Sequence, residues 1–173
     1  MAEVESGAAL RRNTIADAVR RAARKFGART ALTFADRRWT YTDLDAAAGR
    51  VAQALIDRGL KKGDRIAAYA RNSDTYLLLW LACTRAGFVH VPINYALTAG
   101  ELRYILGQSG AKALIYDPAL SATVDQIRGD NSISLFGGFS DAREGELDVL
   151  KVARDAGAPR LDECLATDTD LAQ

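Results

Sequence analysis

Apolar residues recur at helical spacing from the thirteenth residue of the chain onward. Between Asn13 and Phe26 they repeat every three or four positions, which predicts an amphipathic helix that Gly27 ends. Residues 1–12 lack this periodicity, and we expect them to form a flexible lead-in. The folded segment is therefore predicted to span residues 13–173. The apolar positions of this helix are Ile15, Ala18, Val19, Ala22, Ala23 and Phe26.

A β-hairpin and a second helix are predicted next. The strand-like runs Thr30–Phe34 and Arg38–Tyr41 flank a short polar turn. Thr42 is placed to cap the following helix, with Asp45 three residues later in place of the usual Glu of a capping box. Gly59 ends this helix, whose buried stripe is predicted to contain Leu44, Ala48, Val51 and Leu55.

Strand and helix patterns alternate after this point. This alternation indicates βαβ units, so we expect an α/β fold whose mainly parallel sheet is flanked by helices and preceded by the hairpin. Pro92 is expected to stop the second strand, and Thr98 and Glu101 form a capping box for the helix after it. The predicted strands are Arg65–Tyr69, Phe88–Val91, Ala113–Tyr116 and Ile133–Phe136, and the helices between them are Asp74–Ala86, Ala99–Gln108 and Leu120–Ile127.

The helix Asp74–Ala86 is apolar on most sides. Five large apolar residues follow one another from Leu77 to Leu81, which predicts burial on more than one face. Asn72 or Ser73 is expected to cap this helix, and Gly87 to end it with a positive φ angle. The same run of apolar residues predicts that the isolated chain exposes apolar surface and self-associates.

The last forty residues have a weaker pattern. Gly137-Gly138 and Gly145 favour loops, and Leu147–Ala156 has the mixed pattern of one further helix.

Composition and charge exclude several classes of protein. The chain has 173 residues and a formal net charge of +1, so it lacks the basic excess expected of a protein that binds nucleic acid or an anionic membrane. Cys83, Cys164 and His90 are too few and too scattered for a zinc site. The N-terminus does not resemble a signal peptide, and the longest apolar run, Tyr76–Cys83, is too short to span a bilayer. A reduced, cytoplasmic protein is the expectation.

The motifs of common active sites are missing from the sequence. It contains no Gly-x-Gly-x-x-Gly, no Gly-x-x-x-x-Gly-Lys-Ser/Thr and no Gly-x-Ser-x-Gly. Gly137-Gly138 could cradle an anion, but loop geometry is favoured because a basic partner is missing. His90 is predicted to be a partly buried, hydrogen-bonded strand residue, since no nucleophile lies nearby in sequence. Trp39, Trp80 and Phe88 are predicted to lie in the core.

A series of short motifs follows one order along residues 13–117. Their order and spacing resemble the N-terminal portion of the AMP-forming acyl-CoA synthetases, in the adenylate-forming superfamily. Asp43 stands where this family more often has Glu. The motifs are Trp39-Thr40-Tyr41-Thr42-Asp43-Leu44, Gly63-Asp64-Arg65-Ile66-Ala67, Asn72-Ser73, Arg85-Ala86-Gly87-Phe88-Val89-His90-Val91-Pro92-Ile93-Asn94, Glu101-Leu102, Tyr104-Ile105-Leu106 and Ser109-Gly110-Ala111-Lys112.

The resemblance implies an enzyme that joins a carboxylic acid, here a fatty acid, to CoA with ATP and Mg²⁺. Residues 168–173 are similar to the lead-in of the family's phosphate-binding loop. We therefore expect the 173 residues to be truncated before that loop, to bind no cofactor and to be inactive alone. The motif residues have scaffold roles in the family, so no catalytic, cofactor-binding or metal-binding residue is assigned.

Asn94 and Leu97 help to choose among branches of the family. Asn at this position followed by Leu resembles the fatty-acyl-CoA ligases, whereas members that activate amino acids usually carry Asp there. Three alternatives stay open. They are an amino-acid or aryl-acid adenylating enzyme, a non-catalytic α/β binding module, and an unrelated Rossmann-like nucleotide binder.

Overall fold

The fold of the chain is given by a computed structural model that describes residues 13–129, 133–167, 169 and 170. The predicted lead-in, residues 1–12, lies outside the described residues, as do residues 168 and 171–173. The helices are α1 (Ile15–Phe26), α2 (Tyr41–Asp57), α3 (Asp74–Ala86), α4 (Ala99–Ser109), α5 (Ser121–Asp125) and α6 (Val149–Arg154), with a 3₁₀ turn at Pro118–Leu120; the strands are β1 (Thr30–Phe34), β2 (Arg37–Thr40), β3 (Arg65–Ala70), β4 (Val89–Asn94), β5 (Ala113–Tyr116), β6 (Leu135–Gly138) and β7 (Leu147–Asp148).

The sheet confirms the predicted α/β architecture. Strands β3 to β7 form a five-stranded sheet in the order β4-β3-β5-β6-β7, and every neighbouring pair is parallel. Strands β1 and β2 form the separate antiparallel hairpin. Parallel strands require crossover connections. Helix α3 connects β3 to its neighbour β4, and α4 connects β4 to β5, which lies on the other side of β3.

Alternate residues of the central strands face two different apolar layers. Ile66 and Ala68 of β3 pack with α2, α3 and α6, whereas Ala67 and Tyr69 pack with α4 and the segment around α5. Burial on both faces explains why these strands are continuous apolar runs rather than alternating ones. The sheet is therefore the middle layer of the molecule, and its two strand ends are where polar loops can gather.

Several predicted helix ends are confirmed. Ser73 caps α3 by accepting a hydrogen bond from the amide of Tyr76, and Gly87 ends that helix with φ of 74°. Thr98 and Glu101 form the complete capping box of α4. These ends depend on residues that are neighbours in sequence, which is why the pattern predicts them.

The predicted cap of α2 at Thr42 is wrong by two residues. Thr40 caps the helix instead, because its hydroxyl accepts from the amide of Asp43 at 3.1 Å while the Asp43 carboxylate accepts from the amide of Thr40 at 3.2 Å. Tyr41 is consequently the first residue of α2 rather than the last residue of the hairpin. Asp45 is not part of the cap and forms an ion pair with Arg85 instead.

Pro92 lies inside a strand, contrary to the expectation that it ends one. Strand β4 continues from Val89 to Asn94 through the proline. Within the described residues β4 is the edge of the sheet and pairs only with β3. An edge strand tolerates proline because the missing N–H need not face a neighbour.

The region after residue 116 departs furthest from the predictions. Gly137 and Gly138 lie in β6 and are buried, rather than in a loop. The helix predicted at Leu147–Ala156 is the short strand β7 followed by α6, which Asp148 caps. The helix predicted at Leu120–Ile127 is a 3₁₀ turn followed by the five residues of α5.

Candidate functional site

The carboxyl ends of the parallel strands bring two loops together where the strand order reverses. Strands β3 and β5 are neighbours in the sheet. After β3 the chain continues to β4 at one edge, whereas after β5 it continues to β6 in the direction of the opposite edge. Ligands of open α/β sheets bind in the crevice at such a reversal. Asn72 and Ser73 follow β3, and Asp117 follows β5. A ligand-binding site is therefore expected at this end of the sheet.

The polar groups at this reversal are satisfied mainly by the loops themselves. Asp117 accepts a hydrogen bond from the amide of Ala119 at 3.0 Å, and its own amide donates to the carbonyl of Tyr69 at 3.0 Å. The hydroxyl of Tyr69 donates to the carbonyl of Leu97 at 2.7 Å. These contacts hold the loops in place and leave the Asp117 carboxylate engaged with its own turn.

A groove of about 470 Å³ opens beside the reversal, between α3 and strand β4. We call it the His90 groove. The described residues that line it include no charged side chain, and its walls are mostly apolar or aromatic. Binding sites for small apolar groups have this character, with a small number of polar groups that fix orientation. The lining residues are Asn72, Ser73, Tyr76, Leu77, Trp80, His90 and Pro92.

His90 is the buried polar group of this groove. His90 is 2% exposed, and neither nitrogen of its ring has a hydrogen-bond partner within the described residues. The Tyr76 ring meets the imidazole edge-on at 5.4 Å between centroids, and Tyr76 stacks on Phe139 at 5.4 Å. The expectation that His90 is hydrogen-bonded is wrong. Burial lowers the pKa of His90 to about 4, so the imidazole is neutral near pH 7.

Ser73 lies on the same groove but is not arranged as a nucleophile. Its hydroxyl accepts from the amide of Tyr76 at 3.1 Å and lies 3.0 Å from the hydroxyl of Thr75. A Ser-His-Asp triad also needs a carboxylate that orients the histidine, and neither nitrogen of His90 contacts one in the described residues. The groove can bind and orient a group, but these side chains do not assemble hydrolytic machinery.

Arg85 joins the end of α3 to the last described segment of the chain. It is 2% exposed, pairs with Asp45 and donates to the carbonyl of Leu161 at 3.1 Å. Its own carbonyl accepts from the amide of Leu165 at 2.8 Å. Arg85 belongs to one of the ordered sequence motifs, for which only a scaffold role is expected. A basic residue in the last turn of a helix ordinarily complements the helix dipole, so the sequence holds no signal that Arg85 is buried.

A second polar cluster surrounds Tyr116, the last residue of strand β5. The Tyr116 hydroxyl donates to Glu146 at 2.9 Å, and Arg128 donates to Tyr116 and pairs with Glu146. Arg143 pairs with Asp125, and the hydrogen bond from Arg143 lowers the pKa of Asp125 to about 2 even though burial opposes the shift. Opposite charges face one another throughout, so we interpret this cluster as structural.

Other candidates from the sequence also have positions. Trp39 and Phe88 are buried in the core as predicted, whereas Trp80 is half-buried on the groove wall. Cys83 is a buried free thiol whose pKa is raised by burial. Among the described residues, no three His, Cys, Asp or Glu side chains lie close enough together to hold a metal ion. Helices in the same part of the chain are too short or too polar to cross a membrane.

A family of known proteins matches most of the chain. The model of the AMP-binding enzyme family matches residues 19–169, which include both buried layers, the His90 groove and the Arg85 contacts. This chain belongs to the AMP-binding enzyme family. The ordered motifs found in the sequence lie inside the matched range.

Two curated proteins that resemble the chain are a CoA ligase and a CoA synthase. The long-chain-fatty-acid–CoA ligase FadD13 of Mycobacterium tuberculosis is 40% identical over 93 residues, which are 54% of this chain and 18% of that protein. The feruloyl-CoA synthase of an Amycolatopsis species is 35% identical over 116 residues, which are 67% of this chain and 24% of that protein. The matched stretch of the chain thus spans less than a quarter of either relative.

A solved structure shows the same fold. The N-terminal domain of FACL13 from Mycobacterium tuberculosis superposes with a TM-score of 0.78 and 29% sequence identity over 90% of this chain. That alignment covers 40% of the domain. The described sheet, helices and hairpin of this family member therefore correspond to a portion of a larger domain in the relative.

Proposed function

We propose that this chain is the N-terminal portion of an AMP-forming acyl-CoA ligase whose acid substrate is a fatty acid. The observation that carries the proposal is the family match over residues 19–169, with a fatty-acid ligase among the relatives at 40% identity. The proposed reaction has two steps. The acid's carboxylate oxygen attacks the α-phosphorus of ATP and releases pyrophosphate, and the thiol sulfur of CoA then attacks the acyl carbon and displaces AMP.

The described residues serve this reaction as scaffold. They build the parallel sheet, fix the loops at its carboxyl end and hold residues 161–166 against α3 through Arg85. They do not fit the requirements of a Mg²⁺ site, which needs converging oxygen ligands. The magnesium ion and the groups that stabilise charge on the phosphates are therefore assigned to other parts of the parent enzyme.

The 173 residues by themselves are proposed to be inactive. Nothing in the sequence matches a glycine-rich phosphate motif, and the glycine pair Gly137-Gly138 is buried in a strand where its amides serve the sheet. An experiment on the polypeptide of these 173 residues measures carboxylate-dependent exchange of labelled pyrophosphate into ATP. We expect no exchange above a protein-free control, and exchange that depends on added acid would contradict the proposal.

The activity of the parent enzyme is tested separately. The full-length protein is incubated with ATP, Mg²⁺, CoA and either palmitate or ferulate, and acyl-CoA and AMP are quantified by mass spectrometry. Equal formation of palmitoyl-CoA and AMP is the expected result. Neither product with any acid would refute the ligase proposal and favour a non-catalytic binding module.

An aryl acid is the second candidate substrate. Of the two curated relatives described above, the feruloyl-CoA synthase matches the longer stretch of this chain, 67% against 54% for FadD13. In the assay above, a preference for ferulate over palmitate would assign the enzyme to the aryl-acid branch. Cytoplasmic localisation is a further prediction, which fractionation of the source cells would test.

A further inference from the structure

Helix α1, the start of α2 and residues 160–162 surround a cavity of about 290 Å³, which we call the Arg20 cavity. It shares no lining residue with the His90 groove, so it is a separate site. The described residues that line it are mostly polar or charged, in contrast to the apolar walls of the groove. The polar ones are Arg20, Arg24, Thr42, Asp45, Arg160 and Asp162.

Two arginines of α1 line this cavity without a partner. Arg20 and Arg24 are four residues apart, so they are neighbours on one face of the helix. Neither forms a hydrogen bond or an ion pair with a described residue. By contrast, Arg37, Arg85 and Arg143 are each paired with a carboxylate. Like charges at this spacing repel each other, so an anion bound between them would be stabilising.

The carboxylates of the cavity are already engaged with other arginines. Asp45 pairs with the buried Arg85, and Asp162 pairs with Arg160 at 2.7 Å. The charges of the two α1 arginines therefore stay uncompensated within the described residues. The pair of Arg160 and Asp162 is half or more exposed on both sides, and exposed pairs of this kind contribute little. Arg160 is thus available to an anion in the cavity as well.

The backbone of α2 fixes the segment that carries Arg160. The amide of Leu161 donates to the carbonyl of Gly49 at 3.0 Å, and a Cβ on Gly49 would lie 2.9 Å from the Leu161 oxygen. This close approach sets Arg160 beside α2. The charge of Arg160 adds to burial in lowering the pKa of Arg50, which shows that cations are crowded here.

Three guanidinium groups from two separate segments, with the Thr42 hydroxyl at the start of α2, match the chemistry of phosphate recognition. A guanidinium fork donates two parallel hydrogen bonds to phosphate oxygens. A phosphate monoester carries about two negative charges near pH 7, which matches the two unpaired arginines of α1, whereas a carboxylate carries one. We propose that the Arg20 cavity binds a doubly charged phosphate group, from inorganic phosphate or from a lipid headgroup. The proposal holds whether or not the parent protein is a ligase.

The test is calorimetric titration of the full-length protein with inorganic phosphate at constant ionic strength. We expect a dissociation constant on the order of 1 mM for the wild type. Arg20→Gln/Arg24→Gln should weaken binding by about tenfold or more, because it removes two charged donors. The matched control is Arg21→Gln/Lys25→Gln, which removes the same charge at the same spacing from α1, at positions that do not line the cavity. Its effect should stay within about twofold.

Three results would overturn the proposal. They are no phosphate binding to the wild type, equal affinity in the wild type and Arg20→Gln/Arg24→Gln, and equal weakening by the two double variants. If the first double variant does not fold, Arg160→Gln provides the same readout, since this side chain is half exposed. Sedimentation with phosphatidylcholine vesicles, with and without phosphatidic acid, distinguishes the sources. Binding to phosphatidic acid that Arg20→Gln/Arg24→Gln abolishes identifies the headgroup, and any other outcome assigns the site to free phosphate.

Discussion

The carboxylate of Asp74 accepts a hydrogen bond of 2.8 Å from the indole Nε1 of Trp39, which joins the hairpin to the first turn of α3. Arg37 donates two further hydrogen bonds of 2.7 Å to the same carboxylate. Three elements are fixed by this one side chain, because Trp39 also packs in the core beside α2. Burial alone would raise the pKa of Asp74, but the hydrogen bonds from Arg37 and Trp39 hold it below its ordinary value.

Asp74→Ala is expected to destabilise the protein by about 2–3 kcal/mol, because it leaves the buried indole N–H without a partner and unpairs Arg37. Urea unfolding followed by Trp fluorescence measures this change. Asp57→Ala is the matched control, since Asp57 is exposed at the end of α2, and its effect should stay within about 0.5 kcal/mol. Equal midpoints for the two variants would show that the Asp74 contacts do not contribute.

His90 predicts a specific dependence of stability on pH. Its pKa in the folded protein is about 4, against an ordinary value of 6.5. Between these values the unfolded chain binds the proton more tightly, so the stability is present above pH 6.5 and falls as the pH drops toward 4. At pH 5.5, one unit below the ordinary value, the loss amounts to about 1.4 kcal/mol.

Two measurements check this dependence. His90 is the single histidine of the 173 residues, so imidazole NMR signals report its titration directly. The variant His90→Phe lacks the titrating group, and its unfolding free energy should fall less than that of the wild type between pH 7.5 and 5.5. A midpoint near 6.5 in the NMR titration, or parallel pH profiles for the two proteins, would contradict the burial of a neutral imidazole.

Gly137 is expected to tolerate no side chain. A Cβ there would lie 2.7 Å from the carbonyl oxygen of Leu147 and 2.8 Å from Cδ1 of Ile115, both well inside contact distance. Gly137→Ala should therefore cost about 1–3 kcal/mol, as overpacking usually does. In Gly100→Ala the new methyl group meets open space on helix α4 and should stabilise by up to about 1 kcal/mol. Thermal melts that rank the two variants in the reverse order would refute the close approach of β6 and β7.

ATP is expected to bind the 173-residue polypeptide weakly. At the carboxyl end of the sheet the described residues present scattered side chains rather than a phosphate cradle, and the backbone of Gly137 and Gly138 pairs with strand β5 in the sheet. Isothermal titration calorimetry with Mg-ATP should give no dissociation constant below about 10 μM, which corresponds to about −7 kcal/mol. Tighter binding would mean that the described residues form a nucleotide site.

Predictions from sequence succeeded where neighbours in the chain decide the structure. The Thr98–Glu101 capping box and the Gly87 helix end depend on residues within one helical turn. The cap of α2 failed because the sequence holds two overlapping Thr-x-x-Asp patterns, from Thr40 and from Thr42. Pairing in the hairpin decides between them, since Thr30 opposite Thr40 is the last pair of the two strands.

The remaining failures depend on contacts between distant segments. Gly137 resembles a loop glycine in sequence, and the neighbour that requires it, Leu147, comes ten residues later in a strand too short to predict. Pro92 is compatible with a strand because β4 is at the sheet edge, which only the strand order reveals. The orphaned nitrogens of His90 follow from what surrounds the ring, so the pattern of the sequence contains no signal for them.

Self-association of the 173-residue polypeptide is the last prediction, and the structure indicates which apolar side chains of α3 would cause it. The run from Leu77 to Leu81 was expected to leave much of α3 uncovered, but Leu78, Leu79 and Leu81 are buried by the described residues themselves. Within α3 the half-buried large apolar side chains are therefore Tyr76, Leu77 and Trp80, which line the His90 groove. Burial of one large apolar side chain is worth about 1.5–3 kcal/mol, which favours pairing or dye binding at this groove.

Light scattering and the fluorescence of a hydrophobic dye measure the effect on the isolated polypeptide. We expect dimers or dye binding for the wild type, and a marked decrease of both for Trp80→Gln, because the variant removes the largest apolar wall of the groove. Tyr104→Ser is the control, since it removes a more exposed aromatic ring from a different surface and should change neither signal. A monomer that binds no dye at high concentration would show that the groove is closed without a partner.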